Sequence, residues 1–124
     1  MREIIFRAKR LDDGKWVQGY LFKLRDEAFI LQGTNDGVLD VIEVSPTTVC
    51  QYTGFKDESG TQIFDGDIVY WYYEDANGEV FWDDNAGRFA VNFPGVYTDF
   101  DNFYGHELEI VGNMYDTPEL YKGG

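Results

Sequence analysis

The fold is decided by residues 68–93, which read IVYWYYEDANGEVFWDDNAGRFAVNF. β-Branched and aromatic residues fill both faces of Ile68–Tyr73, a composition that predicts a central strand. Asn77-Gly78 is the strongest hairpin signal in the chain, and it predicts a turn into a second strand, Glu79–Trp82. After one more Gly-containing turn, apolar residues alternate along Arg88–Phe93, so one face of a third strand is predicted to be buried.

Shorter strands are predicted on both sides of this stretch. Toward the N-terminus, Asp12–Lys15 has the composition of a hairpin turn, and two further strands follow at Glu27–Gln32 and Val38–Val44. Toward the C-terminus, Leu108–Val111 is predicted as the last strand. Five short strands within residues 62–112, joined by short turns, predict a small barrel whose closure removes exposed edges.

Two segments near the C-terminus are less regular. The aromatic residues of 97–104 fit either a loop packed by its rings or a single helical turn, because their periodicity favours neither. Thr117–Leu120 combines a helix-capping residue with Pro at the first helical position, which predicts a short terminal turn of helix. The sequence therefore predicts a mainly β chain with very little helix.

Composition limits the classes of function. The chain has 124 residues, of which 44% are hydrophobic and 18% aromatic, so it is predicted to fold. It lacks an apolar run long enough for a membrane span or a secretory signal, and a cytoplasmic location is expected. One cysteine, Cys50, and one histidine, His106, are too few for a structural zinc site. Cys50 is expected to be a small buried side chain.

The formal net charge of −13 is unevenly distributed. Residues 1–25 carry seven basic and three acidic side chains, a net charge of +4. Residues 57–121 carry fifteen acidic side chains and a single basic one, Arg88, a net charge of −14. Nucleic-acid binding requires cations that replace the counterions of phosphates, so the acidic part is not expected to bind nucleic acid.

Paired carboxylates raise the question of catalysis, since two carboxyl groups can divide general acid and base work. The pairs here fall in predicted turns and on exposed strand faces, where a chain with 23 acidic residues carries them by chance. Asp99-Phe-Asp-Asn102 alternates oxygen ligands like a calcium loop, but it lacks the Gly and the closing Glu of an EF-hand. No enzyme activity, metal or cofactor is predicted.

Two partner classes remain open. The acidic half is expected to attract a basic protein, either by general charge or by imitating the phosphates of nucleic acid. The carboxylates assigned to this role are Asp83, Asp84, Asp99 and Asp101. The alternative is a nucleic-acid contact through a basic patch on the N-terminal hairpin, formed by Arg2, Arg7, Lys9, Arg10 and Lys15. The aromatic content also leaves self-association open, through an exposed patch or a strand edge.

Four groups of residues carry a family resemblance. They are Met1-Arg-Glu-Ile-Ile-Phe-Arg-Ala8; Tyr52-Thr-Gly-Phe-Lys-Asp57; Gly60, Ile63 and Phe64 with Asp65-Gly-Asp-Ile-Val69; and Glu109-Ile-Val-Gly-Asn-Met-Tyr115 with Pro118-Glu-Leu120. Through them the chain resembles the YopX family of bacteriophage and prophage proteins over nearly its whole length.

The resemblance implies an origin in a phage, prophage or mobile element, and it carries no established activity. It implies one compact unit made of an N-terminal β subdomain, residues 1–56, and a C-terminal SH3-like β-barrel, residues 57–124. The expected function is that of a non-enzymatic accessory protein that binds a macromolecule, and the expected partner is a basic host or phage protein.

Overall fold

The computed structural model describes residues 4–100 and 107–121. Its strands are β1 (Phe6–Lys9), β2 (Trp16–Leu24), β3 (Glu27–Gly33), β4 (Leu39–Val44), β5 (Cys50–Lys56), β6 (Gln62–Phe64), β7 (Asp67–Trp71), β8 (Ala76–Asp83), β9 (Arg88–Phe93), β10 (Val96–Asp99) and β11 (Leu108–Asn113). Within these ranges there is no α-helix, and Pro46–Thr48 and Pro118–Leu120 are short 3-10 helices. The prediction of a mainly β chain is confirmed.

Contacts within the chain divide it into two units, Met1–Tyr52 and Thr53–Gly124. The boundary lies inside β5, four residues before the predicted one. No helix in the described ranges is long and apolar enough to cross a membrane.

In the first unit, antiparallel strands lie in the order β4-β3-β2-β1-β5. The predicted hairpin is confirmed, since Lys9 pairs with Trp16 and the turn between them contains Gly14 at a φ of 71°. Just after β1, Arg10 forms an isolated bridge with Val44 at the end of β4, so the sheet curls toward its own first strand. One face of the sheet forms a buried core of Ala8, Ala28, Ile30 and Val44.

The second unit contains an antiparallel sheet in the order β10-β9-β8-β7-β11. The prediction for β9 is confirmed, because Phe89, Val91 and Phe93 are all buried. They pack in a core that also contains Ile63, Val69, Val80, Phe100 and Leu108. Among the described residues this sheet is open, with β10 and β11 at its edges. The predicted closure into a barrel is therefore wrong for this sheet, whose strands form an antiparallel β unit with two edges.

The predicted hairpin turn at Asn77-Gly78 is wrong. The chain turns earlier, between Trp71 and Ala76, and Asp75 takes up the left-handed backbone conformation there with a φ of 47°. Asn77 and Gly78 are paired residues of β8. A Cβ atom at Gly78 would lie 2.7 Å from the ring of Phe93, so this glycine meets a packing requirement and not a turn requirement.

The segment after Pro94 is also more regular than predicted. Val96 pairs with Phe93 across a two-residue turn in which Gly95 has a φ of 78°, and β10 follows. The prediction of a loop or helical turn over residues 97–104 is therefore wrong for 97–99. Residues 101–104 and His106 lie outside the described ranges. The short helical turn predicted for Thr117–Leu120 is confirmed as a 3-10 helix.

Candidate functional site

The carboxylate of Asp57 joins two segments of the second unit. Its Oδ1 accepts the backbone N–H groups of Ser59 and Thr61, each at 2.9 Å, and its Oδ2 accepts that of Ile110 at 3.1 Å. The residue is only 7% exposed. A short carboxylate that accepts nearby N–H groups stabilises a turn, and here it also holds that turn against β11.

Further backbone bonds hold the turn before β7 and the turn after β11. Asp67, which is 1% exposed, accepts the N–H of Phe64 at 2.8 Å. The carbonyl of Gly66 accepts the N–H of Met114 at 2.8 Å. The side chain of Asn113 accepts two N–H groups of the following turn, at 2.9 and 2.8 Å. Three polar side chains in the segments that carry the family resemblance, those of Asp57, Asp67 and Asn113, thus accept backbone N–H groups at turns.

Tyrosines and carboxylates gather on one side of β7 and β11. Tyr70 lies opposite Glu109 in the strand pairing, and its hydroxyl donates to Asp75 Oδ1 at 2.7 Å. The hydroxyl of Tyr72 donates to Glu58 Oε2, and the two tyrosine rings meet edge to face with centroids 5.6 Å apart. The backbone N–H of Glu58 donates to the first carbonyl of β11 at 2.9 Å, which holds this carboxylate beside the strand. We call these five residues the acidic tyrosine face.

Hydrogen bonds to carboxylates raise the pKa of both tyrosines above the ordinary value of 10.0. The bond to Glu58 is the main cause that raises the pKa of Tyr72 to about 12, and partial desolvation and the charges of Glu58 and Glu109 add to it. The bond to Asp75 is likewise the main cause that raises the pKa of Tyr70. The face therefore carries three carboxylates and two neutral rings at neutral pH. Such a set suits a cation, which interacts with both carboxylates and ring faces.

Arg88 is the single basic residue between positions 57 and 121, and it lies in a different cluster. Its Nη2 is 2.7 Å from Oδ2 of Asp99, which is 8% exposed. Asp83 lies opposite Arg88 in the strand pairing and accepts the hydroxyl of Tyr97. That hydrogen bond is the main cause that lowers the pKa of Asp83, and the charge of Arg88 contributes. Of the predicted partner-binding carboxylates, Asp99 forms an ion pair with Arg88, and Asp83 is affected by the charge of the same residue.

The other two predicted carboxylates differ from this pair. Asp84 is exposed in the turn between β8 and β9, and Asp101 lies outside the described ranges. The acidic tyrosine face was not predicted. Tyr70 and Tyr72 stand two positions apart, as residues on one strand face do. The sequence placed the turn after this strand at Asn77-Gly78, whereas the observed turn begins at Tyr72.

The predicted basic patch is divided by local contacts. The guanidinium of Arg7 lies 4.8 Å and the ammonium of Lys9 5.5 Å from the ring centroid of Trp16. Arg10 points to the following turn, where its side chain lies 2.9 Å from Asp12 and 3.4 Å from Asp13. Lys15 is exposed, and Arg2 lies outside the described ranges. Of the four predicted cations that the structure describes, Arg7 and Lys9 come together, at the ring of Trp16.

No group of three His, Cys, Asp or Glu side chains within the described ranges is arranged to hold a metal ion. Asp99, the first residue of the calcium-like segment, is paired with Arg88, and residues 101 and 102 lie outside those ranges. Cys50 is buried as predicted, and its thiol donates to the carbonyl of Thr48 at 3.3 Å.

These features define a small antiparallel β protein in which Asp57, Asp67 and Asn113 fix turns. The family model for YopX proteins matches residues 5–122. The chain therefore belongs to the YopX family.

One solved structure extends the comparison to three dimensions. The crystal structure of protein EF1440 from Enterococcus faecalis is similar with a TM-score of 0.61 and 22% sequence identity. The similarity covers 97% of this chain and 99% of that one. At this identity the likeness concerns the fold alone. No curated protein matches the chain significantly.

Proposed function

We propose that the chain is a non-enzymatic phage or prophage accessory protein that binds a basic protein partner in the bacterial cytoplasm. The observation that carries this proposal is the acidic tyrosine face. Glu58 and Asp75 accept tyrosine hydroxyls there, and Glu109 lies opposite Tyr70. No metal site or nucleophile is involved. The function rests on charge and shape alone.

Charge supports a basic partner over a nucleic acid. Residues 57–121 have a net charge of −14, and a field of this sign attracts cationic surfaces and repels phosphates. Arg88, the one cation of this segment, is already shared between Asp83 and Asp99. A lysine or arginine side chain of a partner would find carboxylates and ring faces together on the acidic tyrosine face.

Imitation of nucleic acid is the sharper form of this proposal. The partner would then be a protein that binds nucleic acid, and the carboxylates of the second unit would occupy the positions of the nucleic-acid phosphates in its binding site. Asp84, which is exposed, joins the acidic tyrosine face as a candidate contact. DNA should then compete with the chain for the captured protein.

We also propose that the second unit is SH3-like. Its five short antiparallel strands support this, as does the register shift between Ile110 and Gly112, since a bulge bends its strand. An experimental structure in which β10 and β11 lie far apart on a flat sheet would contradict it.

Capture from bacterial lysate tests the binding proposal. The immobilised chain is compared with a variant in which the face loses three charges, Glu58→Gln/Asp75→Asn/Glu109→Gln. A matched control loses three exposed charges of the first unit, Asp26→Asn/Glu27→Gln/Asp40→Asn. Binding is measured at about 0.1 M and about 1 M salt, where charges are screened beyond roughly 10 Å and 3 Å.

The proposal predicts capture of a basic protein at low salt and its release at high salt. The face variant should lose roughly threefold to a hundredfold in affinity, because each of the three lost charge pairs contributes about 0.2–1 kcal/mol. The control should bind like the parent chain. Equal loss in both variants would reduce the effect to overall charge, and capture that nuclease abolishes would favour the nucleic-acid alternative.

A further inference from the structure

The first unit has an apolar sheet face that is separate from its core. In the pairing of β2, β3 and β4, Leu21 lies opposite Ile30 and Ile30 opposite Ile42, and these residues belong to the core side. Because side chains alternate along a strand, their neighbours point to the other side. We call that side the outer face, and it consists of Tyr20, Phe22, Leu24, Phe29, Leu31, Leu39 and Val41.

The outer face is continuous across three strands. Tyr20 lies opposite Leu31, which lies opposite Val41, and these three form a row across the sheet. A second row begins with Phe22 and Phe29, whose ring centroids are 6.1 Å apart. The apolar side chains are therefore contiguous and not scattered.

Much of this face is open to solvent. Tyr20 is 66% exposed, Phe22 46%, Leu24 53%, Leu39 56% and Val41 58%. An aromatic side chain has roughly 150–250 Å² of surface, so the five together expose on the order of 500 Å² of mostly apolar area. The largest apolar patch on a typical monomer is about 300–600 Å², and such patches are commonly functional.

The charge of the first unit indicates what kind of molecule can bind to the outer face. Residues 1–52 carry seven basic and eight acidic side chains, a net charge of −1, whereas the rest of the chain carries −12. Two first units can approach each other without the repulsion that second units would impose. The seven residues of the outer face include no cation. Arg7 and Lys9 of β1 lie on the same side of the sheet, but both contact the ring of Trp16 beside this face. Glu27 and Glu43 lie at one end of the outer face, so it does not suit a phosphate backbone.

We propose that the outer face binds the same face of a second copy of this chain, forming a twofold dimer. Pairing two such faces would bury on the order of 1,000 Å² of apolar surface, which reaches the lower limit for a specific interface once the polar rim is added. The contact is isologous, so it closes at two copies.

The position of Glu27 and Glu43 fixes the orientation. A twofold axis along the strands would bring the carboxylates of both copies to the same end, where they repel. An axis across the strands places them at opposite ends of the interface. The dimer therefore has its β2 strands antiparallel across the contact.

Sedimentation equilibrium of the full chain tests the proposal. The parent chain should show twice its 14.3 kDa mass at micromolar concentration, and it should do so at both about 0.1 M and about 1 M salt, since the contact is apolar. The variant Tyr20→Glu/Val41→Glu should sediment as a monomer. A matched control, Tyr73→Glu/Val96→Glu, changes the same residue types at exposed positions of the second unit and should stay dimeric.

Circular dichroism reports whether each variant is folded. If Tyr20→Glu/Val41→Glu unfolds, Tyr20→Ser/Val41→Ser removes the apolar area without adding charge and should weaken the dimer at least about tenfold. A parent chain that is monomeric at high concentration overturns the proposal. So do a dimer that both outer-face variants retain, and a doubled mass that disappears after nuclease treatment.

Discussion

Replacing Asp57 tests how far one carboxylate holds the second unit together. The variant Asp57→Ala removes the acceptor of three backbone N–H groups, those of Ser59, Thr61 and Ile110. Asp57→Asn is the finer change, because its carbonyl oxygen can still serve the turn while its amide group offers no acceptor to Ile110.

The magnitude follows from where the three donors lie. Ser59 and Thr61 are exposed, so water can replace the lost acceptor and each bond costs about 0.5–1 kcal/mol. Ile110 is half-buried in β11, and leaving its N–H without an acceptor costs about 1–2 kcal/mol. The expected loss is therefore about 2–4 kcal/mol for Asp57→Ala and about 1–2 kcal/mol for Asp57→Asn.

Urea unfolding followed by tryptophan fluorescence measures both losses. Asp84→Ala is the matched control, since Asp84 is an exposed turn residue, and its change should stay within about 0.5 kcal/mol. A loss below about 1 kcal/mol for Asp57→Ala, or an Asp57→Asn variant as stable as the parent chain, would refute the role assigned to the bond with Ile110.

Three further predictions concern other parts of the chain. Gly78→Ala should destabilise by about 1–3 kcal/mol in the same assay, because its Cβ would lie 2.7 Å from Phe93; no loss would contradict the close packing. Arg25→Gly should stabilise by about 0.5–1 kcal/mol, since Arg25 has a φ of 58° in a two-residue turn, whereas Arg25→Ala should give no gain. The stabilisation contributed by Tyr72, whose pKa is raised from 10.0 to about 12, is present below pH 10 and lost as the pH rises through 12. Melting temperatures should fall more over that range in the parent chain than in Tyr72→Phe, and parallel curves would contradict this.

Alternation of apolar residues predicted strands well where one face packs on a core. Arg88–Phe93 was predicted with its full bounds, because every second residue from Phe89 is buried. The turn at Asn77-Gly78 was wrong for a tertiary reason. Its glycine is needed beneath Phe93, and the chain reverses where Asp75 accepts a left-handed backbone. A turn signal cannot distinguish these two uses of glycine.

Charge along the sequence is the basis of the proposed partner class, but it did not predict the acidic tyrosine face. The acidic tyrosine face depends on a turn that brings Glu58 to Tyr72 and on the register that sets Glu109 against Tyr70. Both are contacts between residues far apart in sequence. Within the predicted basic patch, Arg10 is bound locally, because two carboxylates follow it within three residues and its side chain turns to them.

The residues that carry the family resemblance and those proposed to carry the function are largely different. Asp57, Asp67 and Asn113 bind backbone N–H groups, so their loss should abolish partner binding only by unfolding the second unit. Glu58 and Asp75 accept tyrosine hydroxyls at the exposed surface, so neutralising them should weaken binding and leave the unfolding midpoint nearly unchanged. Measuring stability and capture on the same variants therefore separates the scaffold from the site.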